Sequence, residues 1–291
     1  MSKAIRFTKM HAAGNDYVLV DREALPAGVD VAELARAVSR RRSGIGSDGL
    51  IVVAPSSRAV ARMEMYNADG SRSAMCGNGI RLVAKHERDR GRARDDAFAI
   101  ETDSGLHQVE LDRRGGEIVG GRAAMGRPVF DPARIPLRAT RAADSTGPVS
   151  IDVDLDGRRV EASCLSMGNP HAVLFVSEVT PIPLERWGAH VENDARFPER
   201  TNVEFVAVRG EGEIHERTWE RGAGETDSCG SGACAAVVAA AARGATRRRV
   251  RVVQRGGELE VEWTTGGEVL LRGTAETVFE GEWRLPAPPD A

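Results

Sequence analysis

Apolar and polar residues alternate along much of the chain, a pattern typical of half-buried β-strands. Helical spacing begins after Asp30, a good N-cap residue, and predicts a helix that ends near Arg41. Three further helical segments are predicted over residues 80–88, 184–194 and 233–242. The predicted strands cover residues 3–10, 17–20, 50–54, 62–66, 98–102, 106–111, 117–122, 151–155, 159–163, 172–176, 201–208, 213–219, 250–254, 258–263 and 269–273. Many strands and few helices, without a regular βαβ alternation, favour an α+β fold with antiparallel sheets.

A hairpin turn and a proline-rich stretch interrupt the predicted strands. Asp156-Gly157 separates two predicted strands and is typical of a two-residue β-hairpin. Residues 127–150 contain four prolines and little periodicity, so we expect the chain to cross from one half to the other there.

Two short stretches, Met75-Cys76-Gly77-Asn78-Gly79 and Ser228-Cys229-Gly230-Ser231-Gly232, resemble each other. Each places a cysteine just before a predicted helix. The N-terminus of a helix carries partial positive charge and lowers the pKa of a nearby thiol. We therefore expect both thiols to coexist with their thiolates near neutral pH.

The surroundings of the two cysteines repeat as well. Four pairs of residues are each separated by 153 or 154 positions: Cys76 and Cys229, Asn67 and Glu220, Asn15 and Asn169, and Asp48 and Asn202. A nearly constant offset over four landmarks predicts two halves of similar fold, related by an approximate two-fold axis. In that arrangement the two thiols would face each other across one site.

Length agrees with two domains, and composition argues against nucleic-acid-binding, membrane-spanning and secreted proteins. A chain of 291 residues is long for a single core. The net charge of −3 argues against a nucleic-acid partner. The longest apolar run, residues 233–242, is about half of a membrane span, and the N-terminus lacks the apolar core of a signal peptide. We therefore expect a soluble cytoplasmic protein.

The four cysteines, at positions 76, 164, 229 and 234, include no C-x-x-C pair, so we expect reduced thiols and no zinc site. A single Cys-Gly-x-Gly turn could simply hold a small buried residue, but two matched copies favour a functional role for the cysteines.

Two symmetric acid/base groups suit the movement of a hydrogen at a stereocentre, one group on each face of the carbon. The backbone N–H groups of four residues could then hold an α-carboxylate, namely Gly77, Asn78, Gly230 and Ser231. Because an α-hydrogen is very weakly acidic, the site should close and exclude water.

The ordered motifs of the chain resemble the diaminopimelate epimerases over nearly its whole length. They are Gly14-Asn15-Asp16, Asn67-Ala68-Asp69-Gly70, Met75-Cys76-Gly77-Asn78-Gly79-Ile80-Arg81, Gly168-Asn169-Pro170-His171, Thr201-Asn202-Val203, and Glu220-Arg221-Gly222-Ala223-Gly224-Glu225-Thr226 with Cys229-Gly230-Ser231-Gly232-Ala233. The resemblance implies an epimerase without cofactor or metal that interconverts LL- and meso-2,6-diaminopimelate for lysine and peptidoglycan precursors. It also implies a homodimer.

The fold implied by the resemblance is α+β, with two similar domains that each curl an antiparallel sheet around a central helix and a site in the cleft. The last segment is implied to return to the first domain. The expected domains are therefore residues 1–127 with 276–291, which contain Cys76, and residues 128–275, which contain Cys229.

The resemblance also implies roles for individual residues. Cys76 and Cys229 would be the two bases. Asn67, Asn202 and Arg221 would bind the distal carboxylate, to which a guanidinium is well suited. Asn15, Asn169 and Glu220 would orient ammonium groups, and His171 with Glu220 would tune the thiols.

Two positions depart from the pattern of the family. Gly49 stands where many members have Gln, so no side-chain contact is expected there, and Leu82 replaces a frequent Cys.

Three alternative classes of protein remain open. A proline racemase or hydroxyproline epimerase also uses a cysteine pair, but typically has His where this chain has Asn78, and its small cyclic substrate needs no distal carboxylate site. A redox or zinc-binding protein could use Cys76 and Cys229 as a disulfide or as ligands. A structural interaction protein would have no use for matched cysteine turns.

Overall fold

The computed structural model describes residues 4–139 and 146–284. Parts of three predictions lie outside these residues: the strand start at Lys3, the crossover over 140–145 and the C-terminal return over 285–291. The strands are β1 (Ala4–Ala12), β2 (Asn15–Asp21), β3 (Gly49–Ala54), β4 (Ala61–Asn67), β5 (Arg72–Ser73), β6 (Ala97–Thr102), β7 (Gly105–Arg114), β8 (Glu117–Ala124), β9 (Val149–Leu155), β10 (Arg158–Ser166), β11 (Pro170–Phe175), β12 (Asn202–Gly210), β13 (Glu213–Glu220), β14 (Gly224–Thr226), β15 (Arg249–Gln254), β16 (Gly257–Trp263), β17 (Val269–Thr274) and β18 (Glu276–Arg284). The α-helices are α1 (Val31–Ser39), α2 (Gly77–Asp89), α3 (Leu184–Glu192) and α4 (Gly230–Ala242).

The described chain forms two compact units. The N-terminal unit comprises residues 4–123 and 273–284, and the C-terminal unit comprises residues 124–139 and 146–272. The predicted domain boundaries at 127 and 275 lie a few residues beyond those of the units.

Strands of the N-terminal unit pair in the order β18-β1-β2-β3-β4-β6-β7-β8, with the short β5 beside the end of β4. The pairs β2–β3 and β4–β6 are parallel, and the other described pairs are antiparallel. The parallel pairs are those joined through a helix, α1 in one case and α2 in the other, because a parallel connection must cross from one end of the sheet to the other.

The C-terminal unit has the same internal order, β9-β10-β11-β12-β13-β15-β16-β17, with β14 beside β13. Its parallel pairs, β11–β12 and β13–β15, are again joined through helices, α3 and α4. The predicted α+β class is confirmed, with sheets that are mainly antiparallel but contain these helix-linked parallel pairs.

The two long helices, α2 and α4, lie at the centres of their units. Helix α2 packs against β1, β2, β4, β6 and β7, and α4 against β10 to β13, β15 and β16. Every residue of α4 from Gly232 to Ala240 is buried, as expected for a helix that is apolar on all sides. No helix in residues 4–139 and 146–284 combines the length and hydrophobicity that crossing a membrane requires.

Local signals placed the outer helix α1 and one hairpin correctly. The Asp30 side chain accepts hydrogen bonds from the N–H groups of Ala32 and Glu33, which confirms it as the N-cap of α1. Between β9 and β10, Asp156 and Gly157 both have positive φ, 56° and 79°, as the predicted two-residue hairpin turn requires.

Candidate active site

Cys76 is the N-cap residue of α2. It has extended backbone angles, and its Sγ accepts a hydrogen bond from the N–H of Gly79 at 3.3 Å. The Tyr17 hydroxyl lies 3.4 Å from the same sulfur. The helix therefore starts at Gly77, three residues before the predicted start at Ile80.

Cys229 occupies the same place in the C-terminal unit, as the N-cap residue of α4. Its Sγ accepts from the N–H of Gly232 at 3.4 Å and lies 3.6 Å from the hydroxyl of Ser231. This thiol is buried, whereas Cys76 is half-buried. Each predicted cysteine is thus fixed at a helix N-terminus, where backbone N–H groups and the helix dipole favour a nearby negative charge.

Little space is left for a side chain three residues after each cysteine, where the chain has glycine. A Cβ on Gly79 would lie 3.0 Å from Ile51 Cδ1 and 3.1 Å from Met63 Sδ. A Cβ on Gly232 would lie 2.9 Å from Glu204 Oε1 and 3.3 Å from the Cys229 sulfur. These glycines allow each helix to begin directly beside its thiol.

The electrostatic environment of Cys229 differs from the one expected from the sequence. Burial raises the pKa of the Cys229 thiol well above its ordinary value, and the carboxyl groups of Glu220 and Glu204 raise it further. Hydrogen bonds from Ser231 and from the Gly232 N–H lower the pKa, but they do not reverse the shift. The predicted depression of the pKa is therefore wrong for Cys229, since desolvation and neighbouring carboxyl groups outweigh the helix N-terminus.

His171 is fully buried between two polar side chains. Its Nδ1 lies 2.7 Å from Oε1 of Glu204, which is itself fully buried, and its Nε2 lies 2.9 Å from Oδ1 of Asn169. The Glu204 carboxyl also lies next to Gly232, in the first turn of α4. It therefore lies between the His171 imidazole and the start of that helix.

Two further carboxyl groups complete an acidic cluster in the C-terminal unit. Burial, with the nearby Glu204, raises the pKa of Glu216 to about 8, despite hydrogen bonds from Gln254 and Thr218. Burial and Glu204 also raise the pKa of Glu220, while hydrogen bonds from Thr226 and Cys229 lower it. Cys229 therefore lies beside buried carboxyl groups, and it forms a hydrogen bond with that of Glu220.

The strand registers show which residues of the N-terminal unit match this cluster. Tyr17, Ile51 and Met63 occupy the positions of His171, Glu204 and Glu216. The same registers align Asn202 with Gly49, so its predicted match to Asp48 is one residue out of register. The two cysteines thus share a backbone setting but not a polar environment.

Asn15 and Asn78, two predicted binding residues, meet in the N-terminal unit. Asn78 donates to Oδ1 of Asn15 at 3.4 Å and accepts from Arg81 at 2.7 Å. Asn15 donates to Oδ2 of Asp48 at 2.7 Å. Both asparagines are buried, so their orientation is set by these contacts.

The predicted residues for the distal carboxylate lie at strand ends or in the turn next to one. Asn67 ends β4 and donates to the Ser71 hydroxyl at 2.9 Å, within the turn to β5. Asn202 accepts from the N–H of Arg221 at 3.0 Å, so these two predicted residues are in contact. The exposed Arg221 guanidinium donates to the carbonyl of Glu199 at 2.9 Å.

Sequence reasoning missed Tyr17, Glu204 and Glu216. Glu204 lies between Val203 and Phe205 in a strand that is buried on both faces, and a single acidic residue inside such an apolar run is the signal that could have identified it. Tyr17 begins a run of buried residues in β2, and Glu216 lies on the buried face of β13 between two polar residues, so neither carries a comparable signal.

One side-chain group in the described residues has the composition of a metal site: Asp21, His86 and Glu87. Arg92 already donates to Asp21 at 2.9 Å and lies 2.7 Å from Oε1 of Glu87. A guanidinium between the carboxylates makes this an ion-pair cluster that a cation would have to disrupt.

Comparison with known proteins identifies the family. The model of the family described as "Diaminopimelate epimerase" matches residues 7–130 and 163–278, which include both cysteine turns. The chain belongs to the diaminopimelate epimerase family. A diaminopimelate epimerase of Geobacillus thermodenitrificans is 45% identical over 279 residues, with 94% of this chain and 95% of the relative covered. One from Desulfovibrio desulfuricans is 43% identical over 290 residues, with 98% and 100% covered. The predicted family and isomerase class are therefore confirmed.

Solved structures of more distant proteins share the fold of this diaminopimelate epimerase family member. A hydroxyproline epimerase from Agrobacterium vitis has a TM-score of 0.67 at 16% identity, covering 97% of this chain and 91% of its own. A phenazine biosynthesis protein of the PhzF family from Bacillus anthracis has a TM-score of 0.66 at 16% identity, covering 97% and 100%. At such low identity the likeness shows a common fold and leaves the substrate to be argued from the site.

Proposed function

We propose that the chain interconverts LL- and meso-2,6-diaminopimelate, as a step toward lysine and peptidoglycan precursors. The observation that carries this proposal is a pair of cysteines at matching N-cap positions, in a chain that is 45% identical to a named diaminopimelate epimerase over nearly its full length. The expected setting is the cytoplasm and the expected assembly a homodimer, which light scattering after size exclusion would test.

Cys76 and Cys229 act as the two bases. One thiolate removes the α-hydrogen from one face of the carbon while the other thiol donates a proton to the opposite face, which inverts the centre. In the reverse direction the two exchange roles. Because burial and two carboxyl groups oppose ionisation of Cys229, its thiolate requires a nearby group that accepts the proton, and Glu220 and His171 are the residues that tune it in this proposal.

The α-carboxylate is bound by the backbone N–H groups of Gly77 and Asn78 with those of Gly230 and Ser231. Both pairs lie in the first turn of a helix, where N–H groups have no partner within the helix. Negative charge that develops on the carboxylate as the hydrogen leaves is stabilised by these fixed dipoles.

The rest of the substrate is recognised by polar side chains. Arg221, with Asn202 and Asn67, binds the distal carboxylate, and the contact of Asn202 with the Arg221 backbone supports their joint role. Asn15, Asn169 and Glu220 orient the ammonium groups. Residues 1–127 with 276–291 and residues 128–275 are proposed as the two domains that supply these contacts.

The proposal is tested by incubating the protein with LL-diaminopimelate and, separately, with L-proline in D₂O. We expect deuterium at the α-carbon of diaminopimelate alone, because proline offers no distal carboxylate to Arg221. Deuterium in proline instead would identify a proline racemase. Since the mechanism uses two thiols and no bound group, a strong chelator should leave the rate unchanged, and inhibition by the chelator would contradict it.

A further inference from the structure

The turn between β13 and β14, which follows Glu220 and contains Arg221, is attached to helix α3 through one buried carboxylate, that of Glu192. Glu192 is the last residue of α3 and is 5% exposed. Its Oε1 accepts from the N–H of Gly222 at 2.9 Å, and its Oε2 accepts from the indole N–H of Trp219 at 2.7 Å. Arg200 also donates to Oε1, at 3.0 Å. The residues on either side of the Glu220-Arg221 pair are therefore fixed by the same side chain.

Glu220 and Arg221, which lie between Trp219 and Gly222, are held in place by different contacts. Glu220 is paired with Gly224 in the β13–β14 ladder, and its carboxyl accepts from the Thr226 hydroxyl at 2.5 Å. Arg221 follows the end of β13 and lies outside the ladder, so its position depends on the turn. Gly222 in that turn has φ +78°, a conformation that glycine adopts without strain.

Packing supports the same attachment. Gly188, one turn earlier on α3, lies against Trp219 so closely that a Cβ there would be 2.6 Å from both Cβ and Cγ of Trp219. The indole is thus pressed onto α3 while its N–H reaches Glu192. Rotation of Trp219 away from the carboxylate would leave a buried acceptor unpaired, which is costly.

We infer that Glu192 is a positioning residue that sets the place of Arg221 and thereby the affinity for the distal carboxylate, an inference that rests on the proposed function. Glu192 lies outside the set of residues that are proposed to touch substrate. It acts by fixing the turn at Gly222, and Asn202 and the Glu199 carbonyl then orient Arg221 itself.

Glu192→Gln tests this role because it keeps the size of the side chain but turns one acceptor oxygen into a donor. The amide cannot accept from both the Gly222 N–H and the Trp219 N–H. We expect KM for diaminopimelate to rise roughly tenfold with kcat changed less than about twofold, the size typical of one hydrogen bond to a charged group. Glu185→Gln, the same change at an exposed position on α3, is the matched control and should leave both constants unchanged.

A double-mutant cycle with Arg221→Ala separates positioning from general damage. If Glu192 acts through Arg221, Glu192→Gln should change kcat/KM less than about twofold once Arg221 is absent. A full tenfold loss in the Arg221→Ala background would overturn the inference. Should Glu192→Gln fail to fold, Glu192→Asp, which keeps the charge on a shorter side chain, is taken through the same cycle with the same expected non-additivity.

The outcomes also separate the inference from the proposed function. If Arg221→Ala leaves KM unchanged, the proposed binding of the distal carboxylate fails. If Arg221→Ala raises KM but Glu192→Gln does not, the positioning role alone fails.

Discussion

The buried carboxyl of Glu216 should make the stability of the protein depend on pH in a specific way. Glu216 is 2% exposed and accepts hydrogen bonds from Gln254 at 2.9 Å and from Thr218 at 3.2 Å. Glu216→Gln keeps the shape of the protonated side chain and removes its ability to ionise. The amide can still accept from Gln254 and donate to the Thr218 hydroxyl.

The expected magnitude follows from the pKa. Burial and Glu204 raise the pKa of Glu216 from an ordinary 4.5 to about 8. Between these values the folded chain keeps a proton that the unfolded chain has lost, so the free energy of unfolding falls as pH rises, by about 1.4 kcal/mol per pH unit from this one group. At about pH 8 the folded carboxyl is half ionised, and the loss is complete roughly one pH unit higher. The variant lacks this loss, so its free energy of unfolding relative to the parent should increase by roughly 2 kcal/mol between pH 6 and pH 8 and level off near pH 9.

Urea unfolding at pH 6, 7, 8 and 9, followed by circular dichroism, measures this difference. Glu161→Gln, which makes the same chemical change at an exposed position of β10, should show no such trend. A difference between Glu216→Gln and the parent that stays constant over this range would refute the raised pKa. A difference of the opposite slope would mean that the ionised form is the one stabilised by the fold.

Three other substitutions have expected outcomes. Arg221→Lys should raise KM more than it lowers kcat, because an ammonium cannot form the two parallel hydrogen bonds of a guanidinium; parent-like steady-state kinetics would contradict the distal-carboxylate role. Gly188→Ala should destabilise the C-terminal unit by about 1 to 3 kcal/mol in urea unfolding, since the new methyl group would overlap Trp219, and an unchanged midpoint would mean that the indole moves freely. Asp48→Ala should lower kcat/KM roughly tenfold, because Asn15 loses a charged hydrogen-bond acceptor at 2.7 Å; an unchanged value would show that Asn15 is held by other contacts.

Much of the fold could be predicted because its signals are local. The N-cap at Asp30 and the turn at Asp156-Gly157 are decided by the residue types themselves, and the structure has both. The strands β5, β14 and β18 were not predicted. The first two are only two or three residues long, and β18 is largely exposed, so its place is set by pairing with β1 far away in the sequence.

The sequence predicted the starts of α2 and α4 three residues later than the structure has them, at 80 and 233 instead of Gly77 and Gly230, and the difference has a physical reason. Gly-Asn-Gly and Gly-Ser-Gly have weak helix propensity, so the pattern indicates a helix only after them. In the structure the cysteine sulfur caps the first turn and the glycines fit against packed neighbours, which are tertiary effects. The repeat of the two cysteines was nevertheless visible in the sequence, because it depends on spacing alone.

The candidate site was only partly predictable. The motif residues were found because they recur at a constant offset or match the family, whereas the carboxyl groups around Cys229 come from separate strands. Glu204 approaches the thiol only once β12 is placed beneath α4. Its effect on the pKa of Cys229 depends on burial and tertiary packing, which no local pattern contains.

The central claim is that two thiols serve opposite faces of one carbon, and hydrogen exchange by single-cysteine variants tests it most directly. In D₂O, Cys76→Ala and Cys229→Ala should each fail to invert the α-carbon yet still exchange its hydrogen for deuterium, because the remaining thiol can remove and return a proton on its own face. The account predicts that each variant exchanges one stereoisomer and that the two variants choose opposite ones. Inversion by either variant, or exchange of the same stereoisomer by both, would contradict it.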